Sequence, residues 1–419
     1  MLRKKFFLIA FAAATFAACS ESDEFANNIT GVEDNTPVEV KLRVGGLLKA
    51  ITKAAINTNT DGTFEDITVG VYGLARAKQG INQEAADINW FAYDGTESTE
   101  QYKTCCIVKN QKSEVDGTTG EITFVNGPFF YPITQFYRYD FYAYYPCAET
   151  TGTPTLGHPT VLEESSSISS KATAQYVIDG TQDLIWGFDH KDQYAGPAYS
   201  NQIREWVNLY SYSARWFRQV ERRADCYPNI KMQHLLTRLT FFVEPGANTE
   251  GGSDYSDAEQ MQLDELYVKG VYSNINVVVA NQTNMENPTV DDTERISPRN
   301  YNTANFYLYD APDADGIQHE ASSIPVPSEP PLPTQWGPQW GESIMLYPMQ
   351  EYTLHIRMSR IADGVSFESE VPLKLQNTTG FLRGHSYKVR LVVHGPESIA
   401  TACSLEPWLD DEVPNPIEM

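Results

Sequence analysis

Apolar and charged residues alternate without a break in the stretch Val38-Glu39-Val40-Lys41-Leu42-Arg43-Val44. Successive side chains of a β-strand point to opposite faces, so a period of two is typical of a strand with one face in a core and one in water. The stretch follows directly on a polar, acidic segment. We therefore predict that the folded part of the chain begins at Val38 with a half-buried strand.

Similar short patterns recur along the chain and are separated by polar turns. Asp116-Gly117 is a hairpin-type turn signal ahead of one of them, and a dense aromatic run ends at Pro146. The predicted strands lie at residues 67–72, 121–125, 139–145, 239–243, 266–268, 275–279, 352–358 and 387–393. Many short strands separated by turns indicate a mainly β protein with a β-sandwich architecture.

One segment, Asn201 to Arg223, has the periodicity of a helix instead. Its apolar residues fall at spacings of three and four, which is typical of an amphipathic helix: Ile203, Trp206, Val207, Tyr210, Ala214, Phe217 and Val220. Arginines occupy the flanking positions. The segment is interpreted as a helix packed on a sheet, or as an element that docks a partner.

Residues 281–343 are rich in Asn, Asp and Pro and are predicted to form a long loop that carries Trp336 and Trp340. Aromatic side chains in such a loop can stack on sugar rings or on a protein ligand. They can equally pack in a core or between domains. Trp336 and Trp340 are the candidate ligand contacts, and both interpretations stay open at this point.

The N-terminus predicts export. Residues 1–18 combine a basic start with an apolar run that is too short to span a bilayer, as in a secretory signal peptide. Ala17-Ala18-Cys19 resembles a bacterial lipoprotein box, which implies lipidation at Cys19; the alternative is an ordinary signal peptide with an incidental cysteine. Residues 19–37 are predicted to form an acidic tether. Its first residues, Ser20 to Glu24, resemble the signal that exports lipoproteins to the surface of an outer membrane.

Composition excludes several classes of function. The formal net charge is −24 over 419 residues, so phosphate backbones would repel the protein and nucleic acid is not an expected partner. Five cysteines remain after Cys19, an odd number, without zinc-type C-x-x-C spacing. The seven histidines are scattered and none of the common hydrolase or nucleotide-binding motifs occurs. We expect no enzyme, no cofactor and no metal site. A single sequence does not test for the paired carboxylates of a glycosidase, so that alternative stays open.

Several motifs, in this order along the chain, are similar to those of the fimbrillin family, the subunits and accessory proteins of type V pili. They are Phe129-Phe130-Tyr131-Pro132 with the aromatic run to Pro146, Asp183-Leu184-Ile185-Trp186-Gly187, Met232 to Leu239, Gly384-His385-Ser386-Tyr387, and Pro407-Trp408. The resemblance covers most of the chain after Pro37.

The resemblance implies two tandem transthyretin-like β-sandwich domains, here at residues 38–227 and 228–419, with the amphipathic helix inserted in the first. It also implies a pilus subunit that joins others by strand exchange. In the family a protease removes the first strand, here Val38 to Leu48, usually after an arginine. This chain has no arginine between Arg43 and Arg76. Lys49 and Lys53 are therefore the candidate processing sites.

The C-terminal tail bears on the position in a pilus. After Trp408 only an acidic, proline-containing segment remains, which is a poor donor strand, although Ile399 to Leu405 could serve as one. A tip, accessory or anchor subunit is the favoured role. The expected partners are other pilus subunits, the outer membrane through the lipid, and a host protein or glycan. The alternative function is a surface glycan-binding lipoprotein.

Overall fold

The structure, a computed structural model, describes the chain in separate stretches. They are residues 37–45, 67–78, 88–91, 105–132, 137–149, 151–165, 169–189, 212–220, 227–246, 260–284, 295–332, 334–375, 380–395 and 398–406. The protein is mainly β, which confirms the predicted fold class. The buried apolar side chains form one connected cluster that includes residues from both ends of the described chain.

The first half, up to His234, contains strands β1 to β11. In chain order they are Val38–Glu39, Leu42–Gly45, Ile67–Lys78, Cys106–Val115, Glu121–Phe124, Phe130–Tyr131, Tyr137–Tyr145, Thr160–Glu164, Lys171–Val177, Ile185–Asp189 and Asn229–His234. Seven of them close into a barrel in the order β10-β11-β2-β5-β4-β3-β7. Strands β1 and β6 form a two-stranded sheet beside it.

The second half, from Thr237, contains strands β12 to β22. In chain order they are Thr237–Pro245, Met261–Tyr272, Asn274–Asn281, Ile296–Pro298, Thr303–Tyr307, Ile324–Pro325, Gln339–Leu346, Glu351–Arg360, Ser366–Lys374, Ser386–Gly395 and Ser398–Glu406. One sheet has the order β18-β12-β21-β22. Another has the order β16-β13-β19-β20, with β17 also paired to β13.

A further four-stranded sheet, β15-β14-β9-β8, takes two strands from each half. Strands β9 and β14 pair antiparallel, from Val177 opposite Asn274 to Lys171 opposite Asn281. Trp186 of the barrel donates its indole N–H to the carbonyl oxygen of Val279 over 2.8 Å. This shared sheet thus connects the barrel to the second half. The boundary near residue 227 stays a prediction, and the shared sheet takes strands from both sides of it.

The aromatic strand β7 is buried along nearly its whole length, on both of its faces. One reason is the shared sheet, whose strand β14 packs against β7. A second is the salt bridge of Asp140 with Arg76, at 3.3 Å, which neutralises the acidic residue within the strand. A strand covered on both faces reads as a continuous apolar run instead of an alternating one.

One helix, α1 (Ala214–Val220), lies within the predicted helical segment. Ala214, Trp216 and Phe217 are buried, as expected for an apolar stripe against a sheet. The ring of Phe217 packs on Tyr131 and Tyr212, with centroid distances of 5.1 and 5.9 Å. The remainder of the predicted helix, residues 201–211 and 221–223, lies outside the described residues.

The predicted long loop at 281–343 is wrong in part. The segment contains the short strands β15 to β17 and the first residues of the long strand β18. Most of its Asn and Pro residues lie between these strands or at their ends. The backbone groups of the short strands pair with β13 and β14. Such pairing partners are distant in sequence, so local composition did not indicate them.

Candidate functional site

β2, the second strand in the described part of the chain, closes the barrel. β2 pairs parallel with β11 and antiparallel with β5. The amide of Arg43 donates to the carbonyl oxygen of Pro228 at 2.9 Å, and the amide of Val44 donates to that of Gly120 at 2.8 Å. Removing β2 would therefore leave two unpaired strand edges that face each other. We call β1, β2 and their immediate partners the barrel seam.

The segment from Val40 to Val44, which leads into and includes most of β2, points only one of its faces into the barrel core. Val40, Leu42 and Val44 are 2%, 1% and 4% exposed, whereas the intervening Lys41 and Arg43 are exposed. The alternation read from the sequence is thus the alternation of the structure. Three apolar side chains enter the core, and a segment that replaced this strand would have to supply three similar side chains at the same spacing.

Aromatic residues cover the N-terminal end of the seam. Val38 pairs with Tyr131 in register, and the amide of Val40 donates to the carbonyl oxygen of Phe129 at 2.9 Å. The ring of Phe217 of α1 also packs on Tyr131. Helix α1 therefore packs beside β1.

Asp189, at the end of β10, lies beside the seam and is buried. Its carboxylate accepts hydrogen bonds from the amide of Asn229, the first residue of β11, and from the hydroxyl of Tyr212 at 3.1 Å. Burial raises the pKa of Asp189 to about 8, and the nearby Asp140 acts in the same direction, while the hydrogen bonds and Lys231 oppose it. This carboxyl is therefore mostly protonated at neutral pH.

Two motifs that the sequence presents separately meet at the junction between the halves. Asp183 Oδ2 and His234 Nδ1 lie 2.5 Å apart, both buried. Beside this contact, the amide of Leu235 donates to the carbonyl oxygen of Leu184 at 2.8 Å. The contact fixes the chain where it passes from β11 to β12. We assign these motifs a structural role.

The two candidate tryptophans have different environments. Trp340 lies in β18, is 1% exposed, and donates its indole N–H to the carbonyl oxygen of Ser322 at 3.0 Å. Trp336 precedes β18, is half-buried, and packs on Phe242 with ring centroids 4.9 Å apart. Of the two interpretations that the sequence left open, core packing applies to Trp340, and ligand contact by Trp336 stays a prediction. Trp340 belongs to the core because strand alternation points it inward, and Trp336 alone keeps the candidate role.

The other predicted site residues lie outside the described part of the chain: Cys19 with the signal peptide and tether, and the candidate processing residues Lys49 and Lys53. They stay predictions. Among the described cysteines, Cys106 and Cys147 are thiols. Burial raises the pKa of Cys147 to about 11, so this thiol is protonated and unreactive at neutral pH.

The described residues offer little to metal or membrane chemistry. Within them, no group of three or more His, Cys, Asp or Glu side chains is placed to hold a metal ion. No helix in the same residues is long and apolar enough to cross a bilayer.

Sequence reasoning missed two features of the site. Asp189 was not singled out, because a lone Asp at a strand end gives no signal of burial. Lys388 and Arg390, whose cations lie beside the ring of Trp336, were not singled out either. An alternating strand shows which residues share a face, but not which loop will lie on that face.

A family model described as fimbrillin-like matches residues 75–408. No curated protein matches the chain at a significant level.

Among solved structures, the chain is similar to a Bacteroides uniformis protein provisionally described as a cell adhesion protein, with 13% identity and a TM-score of 0.43 over 89% of this chain and 98% of that one. It is also similar to the fimbrial anchor protein Mfa2 from Porphyromonas gingivalis, with 10% identity and a TM-score of 0.29 over 88% and 97% of the two chains. At these scores the likenesses carry no argument about function, so the family of the chain is assigned from the family model alone.

Proposed function

The chain belongs to the fimbrillin-like family, and on that premise we propose that it is a pilus subunit of tip, accessory or anchor type, joined to its neighbours by strand exchange. In this proposal the segment Val38 to Leu48 is removed and a strand from another subunit takes its place. The two tandem domains, at residues 38–227 and 228–419, are part of the same proposal.

The observation that carries the proposal is the barrel seam. β2 is hydrogen-bonded on both sides, to β11 and to β5, yet only the two-residue strand β1 precedes it in the described part of the chain. The segment Val38 to Leu48 contains β1 and β2 and precedes every other described strand, so its removal would not break the chain between those strands. Its departure would expose two rows of backbone donors and acceptors and an apolar groove, which is the arrangement that a donated strand binds.

The C-terminal segment supports a place at one end of the pilus. Residues of β22 pair with β21 along nine register positions, from Ser386 opposite Glu406 to Gly395 opposite Ser398. The candidate donor Ile399 to Leu405 lies within this strand, so it would have to leave its own sheet before it could donate. A strand held in its own sheet donates less readily than a free extension, which favours a tip, accessory or anchor subunit; purified subunits can still join through this strand once β2 has been removed.

We further propose that lipidation at Cys19 anchors the protein in the outer membrane and that the protein supports adhesion to a host protein or glycan. The tether of residues 19–37 would separate the lipid from the first strand. Removal of Val38 to Leu48 would also separate the subunit from its lipid, so anchorage and strand exchange would be successive states of one molecule.

Limited proteolysis tests the proposed exchange. A lysine-specific protease acting on purified protein should cut at Lys49 or Lys53, release the segment that contains β1 and β2, and produce higher oligomers in light scattering. An excess of the synthetic peptide Val38 to Leu48 should suppress the oligomers, because it would occupy the groove.

The double variant Lys49→Gln, Lys53→Gln is the control and should remain monomeric under the same treatment. A peptide with Leu42→Asp should not suppress the oligomers. If the cut protein loses its β-type circular dichroism, or stays monomeric after the segment has left, the proposal is wrong.

A further inference from the structure

Arg43 and Glu121 face each other across the barrel seam. They lie directly opposite in the antiparallel pairing of β2 with β5, and both side chains are exposed. The amide of Arg43 donates away from β5, to the carbonyl oxygen of Pro228 beside β11, whereas the amide of Val44 donates on the β5 side, to that of Gly120. Arg43 and Glu121 are therefore a non-hydrogen-bonded pair, the kind of position at which side chains across an antiparallel ladder lie closest.

The β5 side of this position is acidic. The amide of Asp116 donates to the carbonyl oxygen of Glu121 at 2.9 Å, so a second exposed carboxylate lies next to the first. Hydrogen bonds from backbone amides, that of Thr119 first, lower the pKa of Asp116, which keeps it ionised at neutral pH. The closest cation along β4, Lys112, is in an ion pair with Glu149. Arg43 is thus the cation that the ladder itself places opposite the acidic edge.

The β11 side of the seam is uncharged at the same level. Asn229 lies opposite Arg43, and the cation of β11, Lys231, lies two residues further along, opposite Gly45. The charge that acts directly across the ladder on the position of Arg43 is therefore that of Glu121. If β1 and β2 left, Glu121 would stand at the edge of the groove, with the register position opposite it open to a residue of the incoming strand.

We infer that Glu121 selects the strand that enters the barrel seam, favouring one with Lys or Arg at the position of Arg43. The residues on either side of that cation would be apolar, as Leu42 and Val44 are, because they enter the core. Opposite charges directly across an antiparallel ladder stabilise the pair and like charges destabilise it, so an acidic residue at this position is disfavoured. The inference rests on the strand exchange proposed above and specifies its partner.

The sequence of this chain indicates which partner fits. Its candidate donor, Ile399 to Leu405, contains no charged residue, so in any register this segment places an uncharged residue opposite Glu121. A copy of this chain can enter the groove, but less tightly than a strand with the pattern of β2. The favoured partner is a different subunit, whose donor strand has a basic residue between two apolar ones.

Peptide competition on the cut protein tests the inference. The full-length protein is cut with the lysine-specific protease, the protease is inhibited, and binding of a labelled Val38 to Leu48 peptide is followed by fluorescence polarisation. As unlabelled competitor, the native peptide should bind about fivefold more tightly than the same peptide with Arg43→Glu. A peptide with Lys41→Glu is the matched control and should stay within about twofold of the native one. Lys41 is also an exposed cation, but it lies outside the β2–β5 pairing, which begins at Leu42.

Changes in the protein complete the test. Glu121→Lys should remove the preference for the native peptide, whereas Glu342→Lys, an exposed position on β18, should leave the preference as it is. Raising the salt concentration should weaken the preference in the unaltered protein, because exposed charges are screened. The peptide variants and the salt series need no altered protein, so they decide the matter even if Glu121→Lys does not fold.

Equal binding of the native and Arg43→Glu peptides, or a preference that persists in Glu121→Lys, would overturn the inference and leave strand exchange standing. Binding of no peptide at all would show that the seam does not exchange its strand, and the proposed assembly would fail together with the inference.

Discussion

At the scale of single residues, Asp189 links the stability of the barrel seam to pH. Its pKa is about 8 in the folded protein against about 3.9 for an unfolded aspartate. Between these values the folded state holds a proton that the unfolded state releases, so stability falls as pH rises from about 4 to about 8. Asp189→Asn keeps an acceptor for Asn229 and has no proton to release. It should remove this slope, which is on the order of 1 kcal/mol per pH unit.

Urea unfolding at several pH values between about 5 and 8 would measure the slope. The matched control is Asp315→Asn, which changes an exposed carboxyl and should leave the slope as it is. An Asp189→Asn variant with the slope of the parent protein would show that the carboxyl is ionised in the folded state.

At the scale of secondary-structure elements, β2 gives a direct comparison of its two faces. Leu42→Asp places a carboxylate in the barrel core and should destabilise the seam by more than about 3 kcal/mol. Lys41→Asp, one residue earlier on the exposed face, should change stability by less than about 0.5 kcal/mol. Hydrogen exchange of the Arg43 and Val44 amides would measure both effects. Equal protection in the two variants would mean that β2 does not occupy the barrel.

The same element shows how far the sequence could predict the fold. β2 was predicted correctly because one of its faces is in water, which leaves a period of two. β4, at Cys106–Val115, shows no such period in its polar residues, and its pairing with β3 and β5 determines its structure. Around Trp336, only the aromatic residue itself could be read from the sequence. The indole was visible as an aromatic residue in a loop, but its partners Phe242, Lys388 and Arg390 come from strands distant in sequence.

At the scale of the whole molecule, the shared sheet should make the two halves unfold together. Trp186 of the first half donates its indole N–H to the carbonyl oxygen of Val279 in the second half, and Trp340 donates its indole N–H to the carbonyl oxygen of Ser322 within the second half. Trp186→Phe and Trp340→Phe each leave that carbonyl without its donor, at a cost of about 1–3 kcal/mol. Both variants should lower the temperature of one and the same calorimetric transition. Two transitions, each lowered by one of the variants, would show that the halves are independent.

Cys19 determines where the whole molecule resides in the proposed function. Replacing Cys19 with Ser removes the thiol that would carry the lipid, and acyl chains contribute about 0.8 kcal/mol per buried methylene to membrane binding. The variant should move from the membrane fraction to the soluble fraction and lose palmitate labelling. Labelling equal to that of the parent protein would exclude Cys19 as the lipidated residue.

The antiparallel pairing of β9 with β14 has a mechanical consequence. A filament on a cell surface is under tension whenever flow drags on the cell, and each subunit must transmit that tension along its length. Along the chain, the halves are joined by the two residues between β11 and β12, Leu235 and Leu236. A second connection is the backbone pairing of β9 with β14, from Lys171 opposite Asn281 to Val177 opposite Asn274. To stretch the subunit, a pulling force would have to break this ladder as well as extend the chain. A single rupture event in force spectroscopy, with no earlier event from separation of the halves, is the expected signature.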